Sequence, residues 1–201
     1  VELLRQTLES NFGVQVEDYI VVDYQAFESV VDAINDDGIM IDVEKDMSEK
    51  ITTELFKGEQ RLGGEDLLEY ARFRQDSEGD FGRVRRQQQV IGAVKDEILT
   101  VGGVFNLPHA MGTGMGYVNT SMSEAELYRM AGSFLVRGDK DIDSLTLPVE
   151  GSYQFVDTYH AGSVIDLDYD WNSEVLHQFL DDELDDTEAQ QPDPDEEVPQ
   201  P

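Results

Sequence analysis

The sequence predicts an α/β domain, a mixed β-sheet sandwiched between α-helices, followed by a disordered acidic tail. Three observations predict it. Stretches of helical and of strand periodicity alternate from the first residues onward. Apolar content of 39 %, with nine Phe, eight Tyr and one Trp, is enough for a packed core. A chain of 201 residues suits one such core, so residues 1–180 are read as a single domain.

The elements follow in order. "VELLRQTLES" sets Val1, Leu4 and Leu8 at helical spacing, and "NFG" closes that helix. "DYIVVDY" (18–24) reads as a buried strand from its β-branched and aromatic content. "QAFESVVDAIN" returns to the helical period through Phe27, Val30, Val31 and Ile34, and "DGIMIDV" alternates Ile39, Ile41 and Val43 to one side, as a strand does. "FKGEQRLGG" is a short extended piece with a turn. "GGEDLLEYA" is a compact helix whose acidic first turn suits the helix dipole. "GRVRRQQQVIGAVKDEIL" has the clearest helical stripe, with Val84, Ile91, Val94 and Ile98 expected to point inward. "SMSEAELYRMAGSFLV" (121–136) opens on a Ser and Glu capping pattern. "DSLTLPVEG", "YQFVDT" and "AGSVIDLDY" read as strands or extended edges, and "WNSEVLHQFLDD" as a last helix. The remainder, residues 181–201, has ten acidic residues, no basic one and four prolines, and is expected to be disordered. No internal repeat is visible.

Charge and composition exclude several classes of function. A formal charge of −30 argues against nucleic acid as a partner, since such binding draws on a broad basic surface. The absence of cysteine removes disulfides, thiolate metal sites and a cysteine nucleophile. No apolar run approaches the roughly 20 residues that cross a bilayer, and no signal peptide is visible. The chain opens inside a helical pattern without an initiator Met, so it is expected to be a fragment of a longer protein.

Within this acidic chain, "RFRQDSEGDFGRVRRQQQ" (72–89) holds five of the fourteen Lys and Arg. If "RFR" is extended, Arg72 and Arg74 share one side while Phe73 enters the core. Gly79 and Gly82 allow the loop backbone to approach a ligand, and Asp80 is placed to cap the next helix. On that helix Arg83 and Gln87 stand four apart near the positive end, with Arg86 adjacent to their face. Guanidinium groups meeting a helix N-terminus make a site for a phosphate or pyrophosphate, which the planar fork of Arg binds bidentately. The same arginines can also be paired with Asp66, Glu69, Asp76 and Glu78 as solvated ion pairs. Arg85 falls off the Arg83 and Gln87 face and is assigned to solvent.

Other features carry less. "GTGMGY" (112–117) lacks the strand and helix of a dinucleotide loop and is read as a flexible loop. His109, His160 and His177 have no metal-ligand spacing. Met111, Met115, Met122 and Met130 could border a lipid cavity or simply fill a core. "DDELDD" lacks the glycine and spacing of a calcium loop and is read as a solvated spacer.

The block "KGEQRLGGEDLLEYARFRQDSEGDFGRVRRQQQVIGAV" resembles the central signature of the LytR-CpsA-Psr family: a Gly-x-Gln-x-Leu-x-Gly turn, a helix ending in Tyr-x-Arg-x-Arg, an Asp-x-Gly-Arg loop and an Arg-Gln helix. "VEDYIVVDYQAFESVVDAINDDGIMIDV" looks like the strand, helix and strand that precede it, and "SLTLPVEG" like a late strand, so the resemblance covers nearly all of residues 1–180. It implies a membrane-anchored phosphotransferase on the extracytoplasmic face of a Gram-positive cell. Such an enzyme moves a glycopolymer, a teichoic acid or capsular polysaccharide, from a polyprenyl-pyrophosphate carrier to peptidoglycan, usually with Mg²⁺. The family's pyrophosphate-binding residues fall on Arg72, Arg74, Arg83 and Gln87, with the loop acid at Asp80. Asp80 either holds Arg83 in its rotamer or assists the attacking hydroxyl, and the first role is favoured because an Asp beside arginines makes a poor base. The lipid tail needs an apolar tunnel, for which the faces of "VVDAI" and "VIGAV" are possible walls as well as ordinary core. The family's earlier strands, with metal-binding aspartates and a further arginine, match nothing in this chain. The metal ligands are therefore expected to lie outside it, with half of the site inside. A non-catalytic polyprenyl-phosphate-binding module and a regulatory, attenuator-type protein are the alternatives.

Overall fold

A computed structural model describes residues 1–49, 51–76, 78–137, 142–160 and 162–181. They fall into two compact units, Asp18–Ile142 and a second one combining Val1–Glu17 with the chain from Asp143 onward. The tail expected to be disordered lies, apart from Asp181, outside the described residues.

In the second unit, helix α1 (Glu2–Phe12) ends at Gly13, whose φ of 69° closes the helix in the left-handed conformation. The unit's remaining elements are strands β5 (Tyr153–Thr158) and β6 (Gly162–Leu167), which pair antiparallel, and helix α7 (Tyr169–Leu180). Val149 and Val175 form a small core with Leu145, Leu147 and Trp171 packed against it. Asn172 is fully buried and ties this core together: its Oδ1 accepts from the Val149 amide at 2.9 Å, and its Nδ2 donates to the Ser152 hydroxyl at 2.8 Å. "DSLTLPVEG", expected to be extended, contains no assigned strand; its buried Val149 is held by that side-chain bond instead of a ladder.

The larger unit contains strands β1 (Ile20–Val22), β2 (Ile39–Val43), β3 (Gly58–Leu62) and β4 (Val118–Thr120). Its helices are α2 (Tyr24–Ile34), α3 (Gly64–Arg72), α4 (Gly79–Ile98), α5 (Val101–Met115) and α6 (Glu124–Arg137). β2 and β3 pair antiparallel, with Ile39 opposite Leu62 and Val43 opposite Gly58, and β1 pairs with β4 in the same sense. The α/β class is the one the sequence predicts; among the described residues its strands pair only as two-stranded antiparallel ladders. Ile39, Ile41 and Val43 alternate inward on β2, and join Val31 and Ile34 of α2, Leu67 and Tyr70 of α3 and Val90 of α4 in one core. That alternation is the period-two pattern of the sequence realised in space.

Local chemistry starts these helices. Asp23 caps α2 by accepting from the Ala26 amide at 2.7 Å, and Ser123 and Glu126 form the expected capping box at α6. The first amide of α3, on Gly64, donates to Asp32 Oδ1 at 2.8 Å, which bolts α3 to α2. Gly64 is required there: a Cβ would collide with the carbonyl of Glu28 on α2. Gly64→Ala is expected to cost about 1–3 kcal/mol of stability, read from the urea midpoint, because neither backbone can yield cheaply.

Three expectations are corrected here. Helix α5 takes in the first four residues of "GTGMGY", ending at Met115, where the glycines make the sequence look like a loop. Thr100 caps it by accepting from the Gly103 amide at 3.0 Å, and Asn106 donates to the Ile34 carbonyl at 2.9 Å. At Gly114 the helix lies so close to α2 that a Cβ would stand 2.8 Å from Val30 Cγ2, so the residue that lowers helix propensity also permits the packing. β1 is not buried: Ile20, Val21 and Val22 are 44–49 % exposed. On α4 the buried positions are Gly82, Arg86 and Val90, while Ile91 is 57 % exposed. The helix is turned from its apolar stripe because Arg86 is drawn inward.

Candidate functional site

The arginine cluster divides in two. Arg72, Arg74 and Arg83, with Gln87, line a single cavity of about 810 Å³ in the larger unit. Arg85 and Arg86 do not line it; acids hold them instead.

Arg72 is the last residue of α3 and Arg74 follows in the connecting loop, so "RFR" is a helix end and not a strand. The two guanidiniums still reach one cavity with Phe73 buried between them in sequence, because the chain turns extended at Phe73 (φ −59°, ψ 132°). Arg72 lies over the ring of Tyr24, 4.1 Å from its centroid, a cation–π contact that orients the guanidinium. Asp80 bridges the other two: its Oδ2 accepts from Arg74 at 2.9 Å and its Oδ1 pairs with Arg83 at 2.9 Å. Asp80 is therefore not the cap of α4 but a clamp within its first turn. The lining begins at Arg83, one turn inside the helix, so the amides of the α4 N-terminus are not part of the cavity wall as the sequence suggested. Three guanidiniums face two carboxylates at this end, Asp80 and Asp23, and the second already caps α2. The rest of the wall is apolar or aromatic, notably Phe27, Leu68, Val90 and Ile91. An adjoining, largely apolar recess of about 260 Å³ shares Phe27, Val90 and Ile91 and continues along Val94, Ile98 and Phe134, with Lys95 also in its lining.

Arg86, grouped with the anion-binding residues on sequence grounds, is a correction. Its side chain is fully buried. Nη1 donates to Asp76 Oδ2 at 2.9 Å and Nη2 to the Phe73 carbonyl at 2.6 Å, with Glu44 at 3.5 Å. Asp76 also takes Lys45 at 2.8 Å, and its Oδ1 accepts from the amides of Glu78 and Gly79, so this carboxylate rather than Asp80 receives the first amide of α4. The network pins both ends of the 73–78 loop, which carries Arg74. Arg85, assigned to solvent, is half-exposed and forked between Glu44 and Glu78.

Burial pushes the Asp76 carboxyl up, but the hydrogen bond from Lys45 and the charge of Arg86 outweigh it and hold the group near 2. A carboxylate lowered on folding stabilises the native state above its unfolded pKa, here 3.8, and loses that contribution as pH falls through about 2. Acid unfolding followed by circular dichroism is expected to shift to higher pH in Asp76→Asn, with the wild-type advantage growing between pH 2 and 4 and level above it.

Sequence reasoning did not find Tyr24, Phe27 or Asp23. The signal was there in the aromatic residue directly after a capping Asp, on the helix facing the arginine segment. Among the described residues no group of three or more His, Asp or Glu stands close enough to hold a metal ion. No helix among them is long and apolar enough to cross a membrane.

Fold and cavity together define an α/β protein whose cavity is cationic at one end and apolar or aromatic along the rest. The chain belongs to the LytR_cpsA_psr family, whose model matches residues 1–173. It is 46 % identical over 182 residues to the regulatory protein MsrR of Staphylococcus aureus (strain COL), covering 90 % of this chain and 56 % of that protein. It is 30 % identical over 149 residues to the polyisoprenyl-teichoic acid–peptidoglycan teichoic acid transferase TagV of Bacillus subtilis (strain 168), covering 71 % and 38 %. The crystal structure of B. subtilis TagV superposes with a TM-score of 0.71 at 26 % identity, over 89 % of this chain and 68 % of that one. The chain thus spans about half the length of the curated relatives it matches.

Proposed function

We propose that this chain is the carrier-binding part of a cell-wall glycopolymer phosphotransferase, acting on the extracytoplasmic face of a membrane to which the parent protein is anchored. The observation that carries this reading is the layout of the cavity, with Arg72, Arg74, Arg83 and Gln87 at one end and Phe27, Leu68, Val90 and Ile91 along the rest. A polyprenyl pyrophosphate has that same polarity, a charged head on an apolar tail. The name of TagV, a transferase that joins polyisoprenyl-linked teichoic acid to peptidoglycan, supports the substrate class.

In the reaction a hydroxyl oxygen of peptidoglycan attacks the phosphorus that bears the glycopolymer. The bond from that phosphorus to the bridging oxygen breaks, polyprenyl phosphate leaves with the electron pair, and the hydroxyl proton passes to solvent. Arg72, Arg74 and Arg83 neutralise charge on the diphosphate as it shifts toward the leaving group, and Gln87 donates to a phosphate oxygen. Asp80 keeps Arg74 and Arg83 at a fixed separation. With one oxygen on each arginine it is a positioning residue and not the base. The apolar recess lined by Val94, Ile98 and Phe134 takes the tail.

The test is turnover: carrier-linked donor, peptidoglycan oligosaccharide and Mg²⁺ are incubated with the protein and a new phosphodiester is sought by mass spectrometry. Product supports the transferase. Binding of the carrier without product favours a regulatory binding module, the reading that the name of the MsrR relatives suggests. Tight binding of duplex DNA at low salt would overturn both, and a charge of −30 opposes it.

A further inference from the structure

Helix α5 has two opposite faces. Gly103, Ala110 and Gly114 are buried, on the side that packs against α2 and the end of α4. About half a turn away at the helical period stand Val101, Val104, Phe105, Pro108 and Gly112, and all of these are exposed. Phe105 is 80 % exposed and Val101 77 %. A helix that faces water ordinarily carries charged or polar residues on that side, and this one carries apolar ones.

The charge pattern narrows what covers this face. From Ile98 to Ser123 the chain has no Asp, Glu, Lys or Arg, by far the longest such stretch in a molecule of charge −30. So acidic a protein is repelled by anionic lipid headgroups unless a charge-free, apolar surface can reach the acyl boundary beneath them. The outer face of α5 is such a surface. With 15 residues the helix is too short to span a bilayer, but it can lie in the interface. The recess assigned to the lipid tail reaches the same corner: Ile98, in its lining, is the last residue of α4, and α5 starts at Val101.

We propose that α5 docks the protein on the surface of a lipid bilayer, its axis in the membrane plane and Val101, Val104 and Phe105 dipping below the headgroups. Docking brings the α4–α5 corner, and the recess beside it, to the layer in which a polyprenyl tail is dissolved. That last consequence rests on the carrier-binding reading above, whereas the docking rests on the exposed face and the charge pattern.

In the experiment the chain, with a C-terminal histidine tag, is held on phosphatidylcholine vesicles that contain a nickel-chelating lipid, so that the tether supplies a high effective concentration. Phe105→Trp is the probe, read after subtraction of the wild-type signal from Trp171, the chain's one tryptophan. Its emission is expected to shift to the blue on the vesicles and to be quenched when the phosphatidylcholine is brominated on its acyl chains. Adding Val101→Asp and Val104→Asp to the probe variant is expected to abolish both changes. Those acids stand in the first turn of α5, where they suit the helix dipole, so the helix is retained, as circular dichroism checks. Phe56→Asp, which removes a side chain 62 % exposed just before β3, is expected to leave both changes intact. An unquenched probe, or quenching that survives the two Asp substitutions, overturns the docking. Quenching lost equally in Phe56→Asp overturns its assignment to α5. A concentration-dependent dimer of the untethered chain that the Asp pair dissolves gives the face to a second copy and overturns the bilayer as its occupant. The vesicles hold no pyrophosphate lipid, so a failure here leaves the carrier site standing. Failure of geranylgeranyl pyrophosphate to bind in solution overturns the carrier site and leaves a positive docking result standing.

Discussion

Replacing Asp76 by Ala is expected to destabilise the larger unit by about 3–5 kcal/mol, the cost of leaving a buried charge without its partner. Arg86 is completely enclosed, and in Asp76→Ala its guanidinium keeps only the Phe73 carbonyl and a Glu44 carboxylate at 3.5 Å. The first amides of α4 lose an acceptor at the same time. Arg86→Met is expected to cost much less. That change removes the buried charge and roughly keeps its volume, while Asp76 retains Lys45 at 2.8 Å and Glu44 retains Arg85 at 2.8 Å. Urea unfolding of both variants checks the order. Equal losses, or a loss under about 1 kcal/mol for Asp76→Ala, would mean that water already solvates Arg86 and that the network is not what holds the loop.

Arg83→Ala is expected to weaken binding of geranylgeranyl pyrophosphate by about 1.5–3 kcal/mol, roughly 10- to 150-fold, the range for a hydrogen bond to a charged group. Its folding stability is expected to change little, since the side chain is a third exposed and its ion pair with Asp80 is a half-exposed one. Arg85→Ala is the control: it removes an exposed fork to Glu44 and Glu78 and is expected to leave lipid affinity unchanged. If Arg85 mattered as much as Arg83, the charged end of the cavity would be on the wrong face of α4.

How far the sequence could be read is visible in α4 itself. Its helix and its Arg83 and Gln87 face were legible because a spacing of four is a property of the backbone alone. Its buried face was not legible, because an apolar stripe through Ile91 predicts burial only when no polar group has a stronger reason to go inside. Arg86 has that reason in Asp76, the Phe73 carbonyl and Glu44, which come from 10 to 42 residues away and meet only in the fold. The same holds for α5, whose glycines lower its helix propensity but allow α2 to approach. β2 shows the opposite case. Ile39, Ile41 and Val43 alternate into the core as the pattern required, since nothing competes with burial there. Of the site, the arginines were found from spacing and from the family signature. Tyr24 and Phe27, which supply the stacking surface and the apolar wall, became visible only once α2 was seen beside α3.

A crystal structure with geranylgeranyl pyrophosphate bound tests the central claim most directly. The account predicts the diphosphate within hydrogen-bonding reach of Arg72, Arg74 and Arg83, with the prenyl chain running past Phe27, Val90 and Ile91. A diphosphate seated on Arg85, or a lipid bound in the unit that contains α7, would contradict it.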